Sequence, residues 1–65
     1  MTISTRQAIK IARETAKDAG YDATVTDSTY DEDEDYYEVE LADNDVIITV
    51  TIDAESGEVL DFTTE

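Results

Sequence analysis

Apolar positions along this chain change period. Through the first twenty residues they recur every three or four positions, and from residue 36 they recur every two. Ala8, Ile11, Ala12, Thr15, Ala16 and Ala19, with Ile9 flanking, share one face of a helix. Ser4-Thr5-Arg6-Gln7 fits a capping box, in which the Ser4 hydroxyl and the Gln7 side chain satisfy each other's backbone N–H groups, and Ile3 is placed to staple onto Ala8. A helix is therefore predicted from Thr5 to Gly20, where a left-handed residue closes the last turn and Tyr21 folds back over Ala16. A face built of alanines lets a helix lie close on a sheet.

The sheet follows from the second period. Tyr37, Val39 and Leu41 alternate with Tyr36, Glu38 and Glu40, and Ile48, Val50 and Ile52 alternate with Ile47, Thr49 and Thr51. Each run predicts a strand with one buried and one wet face. Residues 23–30 are strand-like, but Asp27-Ser28 breaks the alternation and Tyr30 has the wrong parity unless a bulge intervenes, so this strand is expected to be bulged or short. Asp43-Asn44-Asp45 and Glu55-Ser56-Gly57-Glu58 read as hairpin loops, and Val59, Leu60 and Phe62 as a final short strand. The expected fold is α+β: one N-terminal helix packed on a four-stranded antiparallel sheet, a single domain over residues 1–65. A chain of this length removes only ~60% of its unfolded surface from water, which leaves a small core and a thin stability margin.

Charge narrows the function classes. Eighteen acids against four bases give a net charge of −14, which opposes binding to nucleic acid phosphate or anionic lipid. All four bases, Arg6, Lys10, Arg13 and Lys17, form one stripe on the helix face opposite the alanines. Residues 1–20 carry those bases and two acids, a net +2, and residues 21–65 carry sixteen acids and no base, a net −16. Abundant acids, two lysines and ten threonines resemble the composition of proteins from salt-loving organisms. The longest uninterrupted apolar run is Val46, Ile47 and Ile48, far too short for a membrane span or a signal peptide's apolar region. No membrane insertion is expected, and the chain reads as soluble: cytoplasmic if it is full length, extracytoplasmic if it is an excised domain.

The chain has no cysteine and no histidine, so thiolate nucleophiles, disulfides, the usual zinc ligands and the commonest general base are all missing. Asp31-Glu32-Asp33-Glu34-Asp35 suggests the start of a calcium loop. The match fails further on, where Tyr36 stands in place of the turn glycine, Ala42 in place of the distal glutamate, and a strand in place of the second helix. No metal or other cofactor is expected. The many carboxylates lie in no apolar run that would bury one and raise its pKa for acid catalysis, and the two glycines, at 20 and 57, form no phosphate loop. An enzyme is not expected.

The stretch "TIDAESGEVLDF", residues 51–62, resembles the terminal hairpin of the PepSY domain family, whose pattern is a strand ending in Val or Ile-Asp-Ala, a short turn with Gly, then Glu-Val-Leu. "ISTRQAIKIARETAKDAG" is similar to that family's opening helix and "YYEVEL" to its central strand, so the resemblance covers essentially the whole chain. The very acidic loop and "VIITV", where relatives often carry more aromatic residues, depart from the pattern. The resemblance implies a helix packed across a small antiparallel sheet, in proteins that include protease propeptides and membrane-associated proteins. It also implies a role in regulating or inhibiting peptidases or in protein binding, with no catalytic residues to carry over.

The expected function is a non-catalytic module that binds a protein partner, a peptidase among the candidates, through the sheet face turned away from the helix. Tyr36, Glu38, Glu40, Ile47, Thr49 and Thr51 are the expected contact residues. Tyr36 and Ile47 would supply apolar area, and the two glutamates would select for a basic partner. The alternatives are a self-associating structural module, whose open sheet edges pair between copies, and an artificial or redesigned sequence without a natural partner. The expected assembly is a monomer or weak homodimer.

Overall fold

A computed structural model describes residues 2–65 and shows helix α1 (Thr5–Asp18) followed by strands β1 (Thr24–Asp31), β2 (Tyr36–Asp43), β3 (Val46–Asp53) and β4 (Val59–Thr64). The strands form one antiparallel sheet in the order β1-β2-β3-β4, the α+β arrangement expected.

The helix begins as its sequence dictates. Ser4 Oγ accepts from the Gln7 N–H at 3.1 Å and Gln7 Oε1 accepts from the Ser4 N–H at 2.8 Å, so two of the orphan donors at this end are satisfied reciprocally. At the other end Gly20 takes φ 96°. The Tyr21 N–H reaches the Ala16 carbonyl and the Gly20 N–H the Lys17 carbonyl, both at 3.0 Å, which is the Schellman closure. Ala8, Ala12 and Ala16 are fully covered by the sheet, whereas Ala19, expected on the same face, is exposed because it caps the last turn beyond the sheet.

Beneath those alanines lie Tyr37, Val39 and Leu41 of β2 and Ile48, Val50 and Ile52 of β3, all buried. Burial of each large aliphatic residue there contributes about 1.5–3 kcal/mol. The β2–β3 register runs without interruption from Tyr36↔Asp53 to Asp43↔Val46, across a two-residue turn in which Asn44 takes φ 53°.

Both edge strands are bulged. In β1 the register shifts between Val25 and Asp27, so Thr26 is the extra residue, and its hydroxyl bonds back to the Glu40 carbonyl at 3.2 Å and to Glu40 Oε1 at 3.0 Å. The shift restores Tyr30 to the helix side, opposite Tyr37, so the strand is bulged and keeps a full length of eight residues. A second bulge, not anticipated, falls in β4: Ile52 pairs with Val59 and Thr51 with Asp61, which leaves Leu60 without a cross-strand partner and 53% exposed.

The connection from β3 to β4 latches the molecule together. Asp53 Oδ1 accepts from the Glu55 N–H at 2.8 Å, and the Gly57 N–H donates to the Asp53 carbonyl at 2.8 Å. Ala54, fully buried, donates its N–H to the Asp35 carbonyl at 3.0 Å and accepts from the Ile3 N–H at 2.7 Å. One residue thus ties the β1–β2 turn, the β3 end and the segment before α1.

Candidate functional site

Because strand side chains alternate, the residues between the core positions of β2 and β3 stand on the sheet face away from α1. Glu38 and Glu40 are exposed, Ile47 is 38% exposed, and Tyr36, Thr49 and Thr51 are partly covered by their neighbours. The pairings extend this face into β1 and β4. One row runs Thr29, Glu38, Thr51, Asp61, and the next runs Asp27, Glu40, Thr49, Thr63. Tyr36 lies between Asp31 and Asp53 at one end, and Ile47 lies between Ala42 and Glu65 at the other.

The two candidate apolar contacts are therefore not neighbours. Ile47 pairs with Ala42, six positions from Tyr36 along β2, which at ~3.3 Å per residue separates them by about 20 Å. Threonines and carboxylates fill the interval, so the face is a polar, acidic plate with Tyr36 at one end and Ile47, beside the small Ala42, at the other. The flanking positions Asp27, Thr29, Asp61 and Thr63 were not among the sequence candidates, because they belong to edge strands whose parity is set by the bulges.

Carboxylates also shape the Tyr36 end. The negative charge of Asp31 pushes the Tyr36 hydroxyl's pKa up, with partial burial and Glu38 adding to the effect. Around the β1 edge, the Tyr30 hydroxyl donates to Asp35 Oδ1 at 2.6 Å, and this bond leads the causes that raise its pKa to about 12. A shallow depression of about 350 Å³, lined by Thr29, Tyr30, Asp31, Glu32, Tyr36 and Glu38, wraps this corner. In the acidic turn, Asp31 Oδ1 accepts the N–H groups of Asp33 and Glu34 at 3.0 and 3.1 Å. Asp31 is thus held by its own loop, and among the described residues no three acids converge to hold a metal ion. Arg6, Lys10, Arg13 and Lys17 are exposed on α1, on the opposite side of the molecule from the acidic plate.

The family model for PepSY, described as "Peptidase propeptide and YPEB domain", matches residues 2–63. The chain belongs to the PepSY family. Neither a curated protein nor a solved structure matches it. Membership fits a peptidase-propeptide-like module, and among the described residues no helix is long and apolar enough to cross a membrane. In this PepSY chain the "TIDAESGEVLDF" hairpin is occupied with structure: Asp53 and Gly57 close the turn and Ala54 latches it to the rest of the fold.

Proposed function

We propose that this PepSY chain is a non-catalytic module that binds a basic protein surface, with a peptidase as the leading partner class, through the open face of its sheet. The observation that carries the reading is the plate itself: Glu38 and Glu40 stand at its centre, Asp27 and Asp61 flank them, and no base lies anywhere beyond Gly20. Such a surface steers a cationic partner and repels an acidic one. Four strands at ~4.8 Å spacing and a length of about 20 Å give roughly 400 Å² in projection. This is below the ~800 Å² per partner of a standard interface and fits a transient complex better than a permanent one.

Affinity capture from the source organism's extract tests the reading. Wild type is compared with Thr49→Arg at the plate's centre, with Tyr36→Ser and Ile47→Thr at its ends, and with Arg13→Ser on the helix as control, all at unchanged stability. Thr49→Arg should abolish recovery of the partner, each end variant should weaken it, and Arg13→Ser should leave it intact. Equal recovery by all three face variants would remove the plate from consideration.

A further inference from the structure

Strand β4 forms one open edge of the sheet, and its sequence, Val-Leu-Asp-Phe-Thr-Thr, is suited to pairing with another strand. Four of its six residues, Val59, Phe62, Thr63 and Thr64, favour strands, it has no proline or glycine, and Asp61 is its one charge. Its helix-facing side is also under-covered. Val59 and Phe62 are only partly buried, and α1 packs chiefly on β1, β2 and β3. Such an edge joins copies readily unless something stops it.

The hydrogen bonding identifies the stop. Ile47 and Glu65 exchange both backbone bonds, N–H to carbonyl, at 3.0 and 2.8 Å. In an antiparallel ladder bonded pairs alternate with non-bonded ones, so Thr49↔Thr63 and Thr51↔Asp61 are bonded pairs and Val50↔Phe62 is not. The Phe62 N–H therefore points away from β3, out of the edge. It is not free: Asp61 Oδ1 accepts it at 3.0 Å. The other edge repeats the device, with Asp27 Oδ1 accepting the Ser28 N–H at 2.9 Å, one residue past the Thr26 bulge.

We propose that the β4 edge is a latent interaction surface for a second copy of this chain, held closed by Asp61, whose carboxylate occupies the outward Phe62 N–H and places a charge where the incoming strand would lie. A second copy is the occupant because one strand supplies both sides of a two-fold antiparallel pairing. That pairing extends the sheet and brings the under-covered flanks of the two molecules together. The bulge at Leu60 supports the same closure by interrupting the ladder.

The test separates the cap from the charge. Asp61→Ala and Asp61→Val remove both, Asp61→Asn removes the charge and keeps an acceptor oxygen, and Glu58→Gln removes an equal charge next to the strand. Dimer affinity is measured by sedimentation equilibrium in about 1 M potassium chloride, where a Debye length of ~3 Å suppresses general repulsion. Asp61→Ala and Asp61→Val should dimerise several-fold to about tenfold more tightly than Asp61→Asn, the scale of the one neutral hydrogen bond that the asparagine oxygen keeps. Asp61→Asn and Glu58→Gln should stay close to wild type. The Phe62 amide should gain protection from hydrogen exchange in the Ala and Val dimers. The proposal is overturned by monomeric Ala and Val variants, by an Asn variant that dimerises as strongly as they do, or by dimers in which Phe62 exchanges as fast as in wild type.

Discussion

Gly57 backs directly onto Ile11: a Cβ at position 57 would lie 3.3 Å from Ile11 Cδ1 and 3.9 Å from Ile3 Cγ2. The glycine also takes φ 78°, in the left-handed region that a side chain disfavours. Gly57→Ala is therefore expected to destabilise by about 2–3 kcal/mol, since backbone strain and a crowded contact act together. Gly20 has a similar φ of 96° but open space around it, so Gly20→Ala should cost about 1–2 kcal/mol. Urea unfolding of the two variants checks the order, and a larger loss at Gly20 would show that the Ile11 contact relaxes freely.

Tyr37 joins the sheet to the segment before the helix, its hydroxyl donating to the Ile3 carbonyl at 2.9 Å. The tyrosine is buried, so Tyr37→Phe removes the donor without changing the packing of the ring. The expected loss is about 0.5–1.5 kcal/mol. Hydrogen exchange should also quicken at the Ile3 amide, whose bond to the Ala54 carbonyl shares this latch.

Much of this architecture was legible in the residues, and the exceptions have a common cause. Helix ends are encoded locally, so Ser4, Gln7 and Gly20 announced the caps that form. Alternation in β2 and β3 gave the correct buried face because those strands are regular. The misplaced parity of Tyr30 correctly signalled the Thr26 bulge. The same signal in β4, the three-residue step from Val59 to Phe62, also marks a bulge, but in so short a run it resembled an ordinary strand end. The plate's residues were legible one by one, whereas the separation of Tyr36 and Ile47 depends on register, which the two-residue turn at Asn44 and Asp45 sets. The bonds that the edge N–H groups donate to Asp27 and Asp61 were out of reach, because which N–H points outward depends on the bulges.

Val50 and Ile47 test the assignment of faces. Val50 is fully buried beneath α1 and Ile47 is 38% exposed on the opposite side of the same strand. Val50→Ala should cost about 1–3 kcal/mol through lost burial and the cavity left behind, a large part of a small domain's margin. Ile47→Ala should cost less than about 1 kcal/mol. Equal shifts in the denaturant midpoint would contradict the packing described.

Alkaline titration should distinguish the tyrosines. The Tyr30 hydroxyl is held at about 12, first by its hydrogen bond to Asp35, from an ordinary value of 10.0, and Asp31 pushes Tyr36 upward as well. A group whose folded-state pKa is raised above its unfolded value stabilises the fold fully below the unfolded value and loses that contribution as pH rises through the folded one. Stability should therefore decline between about pH 10 and 12. Tyrosinate absorbance should show a late-titrating component that Tyr30→Phe removes. If the titration curve of Tyr30→Phe keeps that component, the Tyr30–Asp35 bond is not its source.

Salt should stabilise this protein. Residues 21–65 carry sixteen acids and no base, and the sheet gathers several of them at strand and residue spacings of about 5–10 Å, within a low-salt Debye length: Glu38 and Glu40 on β2, Asp27 beside Glu40, and Asp31 and Asp53 on either side of Tyr36. Folding concentrates charges that the unfolded chain keeps apart, so self-repulsion weakens the native state. The Debye length falls from ~10 Å at 0.1 M to ~3 Å at 1 M, which removes most of that repulsion between exposed groups. The attraction of the acids for the helix's four bases is screened as well, but four bases cannot offset sixteen acids, so the repulsive balance decides the sign. The thermal midpoint in potassium chloride should therefore rise from 0.1 M towards ~1 M and flatten once screening is complete. Lysine substitutions at Glu38 and Glu40 should raise the low-salt midpoint and reduce the salt response, because they relieve the same repulsion locally. A midpoint that stays constant or falls with salt would mean that hydrogen bonds such as those accepted by the Asp31 and Asp53 carboxylates, rather than net charge, govern the electrostatics of the fold.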